Sequence, residues 1–348
     1  MRQTVPALVA CLALLAGCTG VVAPQTTASP VDAGVAPAPT AFSFAAAGDL
    51  GANRRTAAAL RLLDRSGARF FLALGDLAYD QTATDAGWCS YVRRHLPRKG
   101  ADFPVELVAG NHEQDGRPDR LGRLAACLPD RMGSQVGPGS RYGAEYSFTY
   151  PHRDPFAKVI MISPKLRVAG TTYDYRVGSP HRRWLARQID GARAEGIDWI
   201  VVGLHYPCLT TGRGHGCDSG TAILNLLLRK QVDLVLTGHN HIYERSKQIR
   251  LLRRTCERIR PGHYDRDCVV DGGVDGRYRK GAGTLFITAG TVGGLEQGVN
   301  PADGDHGFFA KTDGTSTGLM KYTVSRSRIE GRFLRTSGHL SDAFRIVR

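Results

Sequence analysis

The sequence predicts a layered α/β fold, and two observations carry that reading. Short apolar runs at 42–47, 70–74, 105–108, 159–162, 199–204, 234–236 and 285–289, most of them bounded by Gly, Asp or Asn, have the length and flanks of buried strands. Between several of them lie stretches with helical periodicity, 54–65, 181–194 and 221–230. Strands alternating with helices point to sheets covered by helices. After Lys280 the helical pattern fades and strand-like stretches such as 319–324 and 328–334 take over, so the second half is expected to complete a sheet rather than begin a new domain. The stretch 256–279, rich in Arg, Asp and Gly, reads as a long loop or insertion.

The 348 residues, 42% apolar and 22% charged, suffice for a substantial core. No internal repeat is visible, and beyond the first residues no apolar run is long enough to span a bilayer. A formal charge of +14 admits a polyanionic partner or an anionic membrane face. The arginines, however, are scattered along the chain with only short clusters such as 250–254, which reads as a solvated basic surface suited to anionic substrates. No specific nucleic-acid or protein partner is expected.

Met1-Arg2 gives a positive end, 5–15 a short apolar stretch, and Leu15-Ala16-Gly17-Cys18 places small residues before a cysteine. Leu-Ala-Gly-Cys resembles the bacterial lipoprotein signal, which implies cleavage before Cys18 and lipid attachment to its sulfur. An ordinary secretory signal with an incidental cysteine is the other reading. Residues 1–17 are thus expected to be a signal peptide, 18–40 a lipidated cysteine with an extended tether poor in bulky apolar residues, and 41–348 the folded domain. The protein would be anchored to the bacterial cell envelope, facing outside the cytoplasm, with the lipid as its contact with the membrane. Setting aside Cys11 and Cys18, six of the eight cysteines remain: Cys89, Cys127, Cys208, Cys217, Cys256 and Cys268. An even number in an exported chain suggests disulfides. Short separations favour 208 with 217 and 256 with 268, leaving 89 with 127, although other pairings stay open. A cysteine metal cluster lacks the Cys-x-x-Cys step it would need.

Five of the predicted strands run directly into polar clusters: Gly48-Asp49-Leu50-Gly51, Gly75-Asp76-Leu77-Ala78-Tyr79, Gly110-Asn111-His112-Glu113, His205-Tyr206-Pro207 and Gly238-His239-Asn240-His241. In α/β sheets the loops at the carboxyl ends of strands gather on one edge, where sites are built. One Gly-Asp after a strand is usually a turn, and one histidine is usually a satisfied core residue. His239-x-His241 says more, because alternate residues of an extended segment face the same side. Five such clusters in sequence indicate converging Asp, Asn and His side chains.

The order and content of these clusters resemble the metallophosphoesterase superfamily, and within it the purple acid phosphatases. That pattern runs Gly-Asp-x-Gly, Gly-Asp-x-x-Tyr, Gly-Asn-His-Glu, Val-x-x-His and Gly-His-x-His, the fourth present as Val202-Gly-Leu-His205, and the stretch 239–245 continues with Tyr-Glu-Arg. The resemblance runs from about Phe42 to the C-terminus. It implies an αββα sandwich of two mixed sheets flanked by helices. It also implies one metal on Asp49, Tyr79 and His241, a second on Asn111, His205 and His239, and Asp76 bridging them. Gly51 stands where many members carry a His ligand, so the first metal would depend on Tyr79. A phenol ionises near pH 10, hence a tyrosinate ligand needs a strong Lewis acid. Iron(III) beside a divalent Fe, Zn or Mn is the expected pair, and oxygen and nitrogen donors without sulfur argue against a thiolate-type site.

The activity so implied is hydrolysis of phosphate monoesters by water activated between two metals, with His112 protonating the leaving group or binding a phosphoryl oxygen. A phosphodiesterase acting on nucleotides or phospholipids with the same metals is the alternative. A non-catalytic lipoprotein that binds phosphate or a polyanion is a third reading. The glycine-rich segment 208–217 could bring Arg213 and His215 to the substrate, or be a solvent loop. Many plant relatives carry an additional sandwich domain before the catalytic one, and between Cys18 and Phe42 there is no room for it.

Overall fold

The computed structural model describes residues 39–114 and 119–348, so the expected signal peptide, Cys18 and nearly all of the tether lie outside the described residues. Its first strand, Ala41–Ala47, shows how the layers arise. Phe42, Phe44 and Ala46 point to one face and Ala45 and Ala47 to the other, as the two-residue period of a strand requires. The larger side chains enter a core between two sheets, and the small alanines face a helical layer.

One sheet has the strand order Arg277–Arg279, Ala343–Val347, Arg328–Ser337, Thr317–Ser325, Ala41–Ala47, Phe71–Ala73, Val105–Leu107. The other runs Phe309–Asp313, Tyr243–Ser246, Leu285–Ala289, Leu234–Thr237, Trp199–Leu204, Ala157–Ile162, Glu145–Tyr150, Gln135–Val136. Both are mixed. Ala41–Ala47, Phe71–Ala73 and Val105–Leu107 are mutually parallel, as are Ala157–Ile162, Trp199–Leu204, Leu234–Thr237 and Leu285–Ala289. The inner core packs Phe42, Phe44 and Phe70 with Tyr146, Trp199 and Tyr322. Helices Arg54–Arg65, Asp85–Arg94 and Arg120–Cys127 cover the first sheet through Leu60, Leu63, Trp88, Val92 and Leu124. Pro180–Ala194 and Thr221–Arg229 cover the second through Leu185, Ile189, Ile223 and Leu227. The result is the αββα sandwich with both sheets mixed, in one compact unit, Ala38–Arg348. Among the described residues no helix is long and apolar enough to cross a membrane.

Helices Asp85–Arg94 and Arg120–Cys127 were not expected, since each is short and buries only three residues, too few to set a period. The Cys89–Cys127 disulfide joins them; the other two link Cys208 with Cys217 and Cys256 with Cys268. The stretch 256–279 is more ordered than the loop its composition suggests. Val269–Asp271 pairs with Gln248–Ile249, and Arg277–Arg279 extends the first sheet alongside Ala343–Val347. Three residues per strand is too short for periodicity to register.

At one end the two sheets touch backbone to backbone. A Cβ on Gly48 would come within 2.9 Å of Gly238 Cα, so only glycine permits this approach. Gly48 N–H donates to Ala289 O at 3.0 Å and Gly238 N–H to His205 O at 3.1 Å. The carboxyl ends of strands from both sheets therefore meet at one edge.

A buried acid away from that edge gives a pH prediction. Glu106, fully buried in Val105–Leu107, accepts a bond from Arg131 N through Oε1 at 3.2 Å, while Oε2 has no hydrogen-bond partner among the described residues. Burial, with Asp130 nearby, pushes this carboxyl up to about 8 from its usual 4.5. The folded state then holds the proton more tightly than the unfolded chain, so stability falls as pH rises from about 4.5 to about 8. Glu106→Gln should raise the unfolding free energy at pH 8.5 by about 2–4 kcal/mol and change it little at pH 4.5, measured by urea denaturation. An equal effect at both values would remove the carboxyl's titration as the cause.

Candidate metal centre

The expected residues are brought to this edge by their strands, and many are held in costly backbone conformations. Asp49 (φ 62°), Asp76 (50°), Tyr79 (45°) and His239 (68°) all lie in the left-handed region. Such conformations cost of order 1–3 kcal/mol each and persist where surrounding structure imposes them. Backbone bonds between loops do so here, with Asp49 N–H on Gly75 O at 3.0 Å and Leu50 N–H on Asp76 O at 2.9 Å.

Two sets of donor atoms result. In the first, Tyr79 OH lies 2.8 Å from Asp49 Oδ1 and 3.0 Å from His241 Nε2, which is itself 3.3 Å from Asp49 Oδ1. In the second, His205 Nε2 lies 3.1 Å from Asn111 Oδ1, 3.2 Å from His239 Nδ1 and 3.3 Å from Asp76 Oδ1. Asp76 also accepts from His112 N at 2.9 Å. His112 stands above both sets with its ring 4.6 Å from that of Tyr79 and Nε2 3.8 Å from Asp76 Oδ2; its side chain is 43% exposed, enough to meet a ligand from solvent.

The outer nitrogens of the three histidines decide what the inner ones offer. His205 Nδ1 faces Leu74 O at 2.8 Å, His241 Nδ1 faces Leu295 O at 2.6 Å, and His239 Nε2 faces Asp218 Oδ2 at 3.4 Å. Two outer nitrogens thus meet carbonyl oxygens and the third lies near a carboxylate, so in the neutral rings the proton sits on the outer side and a lone pair is turned inward. While the ring is neutral, His205 Nε2 then faces a carboxylate oxygen, an amide oxygen and a second imidazole lone pair, with no hydrogen to share among them. A cation satisfies all four. The spacings agree with this, because ligands bonded at about 2.0–2.2 Å lie roughly 3.0–3.5 Å apart on a coordination polyhedron. The residues present therefore fit metal ions.

The electrostatics give the same reading. Burial opposes charge on His205, but Asp76 overcomes it and lifts the imidazole to about 9, a demand for positive charge at this point. Asp76 ionises below the usual carboxylate range: burial resists this, and His205 outweighs it. Burial, then Asp49 and Asp76, drive the Tyr79 phenol far above its usual value. It would ionise here only against a strong local positive charge.

Of the remaining sequence candidates, His215 is brought in and Arg213 is not. The His215 ring is 4.4 Å from that of His239, with Nδ1 3.6 Å from Asp218 Oδ2 and Nε2 3.0 Å from Gln297 Nε2. Arg213 is exposed, its N–H on Gly298 O, and its guanidinium has no partner among the described residues.

Sequence reasoning missed the residues that hold the site. Glu113 lies in the third cluster, and its buried carboxylate accepts from Asp76 N at 3.0 Å, Leu77 N at 2.9 Å and Gly110 N at 2.9 Å, tying two loops together. Asp218 follows His215 by three residues, a spacing that could have drawn attention. Gly293 and Gly294 donate to Asp49 O, and a Cβ on Gly294 would lie 2.3 Å from His241 Cε1. Gln297 accepts from His241 N at 3.0 Å. Nothing local in 293–297 marks these roles.

Residues 42–243 match the calcineurin-like phosphoesterase family model, and the chain belongs to that family. It is 28% identical over 211 residues to purple acid phosphatase 21 of Arabidopsis thaliana, covering 60% of this chain and 46% of that protein. It is 26% identical over 220 residues to the Fe(3+)-Zn(2+) purple acid phosphatase 12 of the same plant, covering 60% and 44%. The chain thus spans about half the length of these curated relatives. In fold it is similar to purple acid phosphatase PPD1 from yellow lupin (Lupinus luteus) seeds, with a TM-score of 0.63, 16% identity, and coverage of 88% of this chain and 54% of that one.

Replacing Glu113 by Ala would leave three buried N–H groups unpaired. Glu113→Ala should cost roughly 3–5 kcal/mol in urea denaturation, and Glu113→Gln less, since its amide oxygen can still accept. A loss under 1 kcal/mol for Glu113→Ala would mean that the carboxylate does not clamp the two loops.

Proposed function

We propose that this protein hydrolyses phosphate monoesters with two metal ions. The convergence of inward histidine lone pairs with Asp49, Asp76, Tyr79 and Asn111 carries this reading, and family membership supports it. One ion would be held by Asp49, Tyr79 and His241 and the other by Asn111, His205 and His239, with Asp76 between. The first set collects a carboxylate, a phenolate and a share of Asp76, which suits iron(III). The second offers mostly neutral donors beside Asp76, which suits a divalent Fe, Zn or Mn. The similarity to a relative whose name specifies iron and zinc agrees with this. When bound, such ions supply Lewis-acid activation of water and neutralise charge on the phosphoryl oxygens.

The chain's own groups do the rest. His112, partly exposed above the cluster and hydrogen-bonded to Asp76 through its backbone, is positioned to protonate the departing alkoxide. Asp218 and the carbonyls of Leu74 and Leu295 hold the three histidine rings in the tautomer that keeps their inner nitrogens available. His215, against the His239 ring with Nδ1 toward Asp218 and Nε2 on the Gln297 amide, braces that histidine. Lipidation of Cys18 would keep the enzyme on the outer side of a bacterial membrane. This part rests on the sequence alone.

Tyr79→Phe should abolish the visible absorption of a tyrosinate–iron(III) pair while leaving the circular dichroism unchanged. Asp76→Ala should lower bound metal from two ions to fewer than one. His112→Ala should keep both metals and the colour but slow turnover by about 100-fold, least for esters whose leaving group needs no proton. Colourless wild-type protein with two divalent ions and a fully active Tyr79→Phe would replace the iron assignment with a plain divalent pair. Separately, Cys18→Ala should move the protein from the membrane fraction to the soluble one. Unchanged membrane retention would refute the anchor.

A further inference from the structure

A cavity of about 710 Å³ opens beside the centre, with Tyr79, His112 and His241 among its lining residues. That is the size of a small-molecule site, and a phosphoryl group against those three residues would fill only a fraction of it. The remainder faces the alcohol part of an ester. Its lining also includes Arg54 and Arg55, and no carboxylate is among its lining residues. Arg55 is already engaged, through Nη1 to Gly294 O at 3.1 Å and Nη2 to Glu296 Oε1 at 3.2 Å. Arg54 is exposed and has no partner among the described residues. Both open the helix Arg54–Arg65, whose first turn has no acidic residue, so the helix's positive end adds to their charge rather than offsetting it. Beyond the donor residues, the lining thus presents an uncompensated positive charge at Arg54.

We infer that the cavity selects phosphate monoesters bearing a second anionic group, a carboxylate first of all, which Arg54 binds while the scissile phosphate lies against Tyr79, His112 and His241. This specificity rests on the phosphatase reading above. It is separable from it, because Arg54 belongs to neither the donor sets nor the proton-transfer group.

The test compares esters matched except for the second anion: 3-phosphoglycerate with glycerol 3-phosphate, and the longer 6-phosphogluconate with glucitol 6-phosphate. Wild type should favour the acid in at least one pair by about fivefold in kcat/KM, the scale of an ion pair open to solvent. Arg54→Ala should erase that preference through KM, Arg54→Lys should keep part of it, and inhibition by inorganic phosphate should be unchanged. Titration calorimetry with 2-hydroxy-4-phosphonobutyrate and 3,4-dihydroxybutylphosphonate, which bind without turnover, should give the same Arg54-dependent order. Equal handling of acid and alcohol by wild type in both kinetic pairs, or a preference that survives Arg54→Ala, overturns the inference. Loss of turnover on all four esters and on p-nitrophenyl phosphate overturns the phosphatase reading instead, and calorimetry then decides the Arg54 site by itself.

Discussion

The contact between Gly48 and Gly238, where two sheets meet without side chains between them, is the constraint on which the candidate site depends. Asp49, Asp76, Tyr79 and Asn111 follow strands of one sheet, and His205, His239 and His241 follow strands of the other. Neither sheet holds a complete donor set. A side chain at the contact would push the two edges apart and break both sets at once. The inner aromatic core sets the spacing of the sheets elsewhere, but at this edge it is backbone that touches backbone.

Once the edges meet, a layer of hydrogen bonds fixes the direction of each donor. Backbone carbonyls and Asp218 bind the far side of each imidazole, and Glu113 binds the two loops that deliver Asp76 and Asn111. Repulsion among inward lone pairs and carboxylates opposes this arrangement, as do the left-handed backbones at Asp49, Asp76, Tyr79 and His239. The fold tolerates both because two packed cores and three disulfides supply stability away from the edge.

The strand Tyr243–Ser246 links the site to the rest of the chain. Glu244 accepts from the Thr210 hydroxyl and from the Thr211 N–H and hydroxyl, bracing the loop that carries His215 and Asp218. Arg245 forms a bidentate pair with Asp342, to which the Tyr243 hydroxyl also donates, tying this strand to the segment before the last strand. Tyr243, Glu244 and Arg245 therefore all hold structure together in this chain. Each of its side chains is buried, and each ends on a polar partner distant in sequence.

The sequence by itself determined the alternation of strands and helices, the polar clusters at strand ends and the donor residues that converge at the candidate site. Buried strands leave short apolar runs, and the donor residues lie within a few positions of them. It did not disclose Tyr243–Ser246 as a strand, because its burial is of charged residues matched by partners up to 99 residues away. It left Arg213 and His215 equivalent, although only His215 turns toward His239. Asp218, Gln297 and the Gly293-Gly294 pair acquire meaning only when folding sets them against histidines from other segments. The cavity bounded by Arg54 and His112 likewise exists only in three dimensions. Local periodicity records which face of an element is buried, and a contact across two sheets leaves no period in the chain.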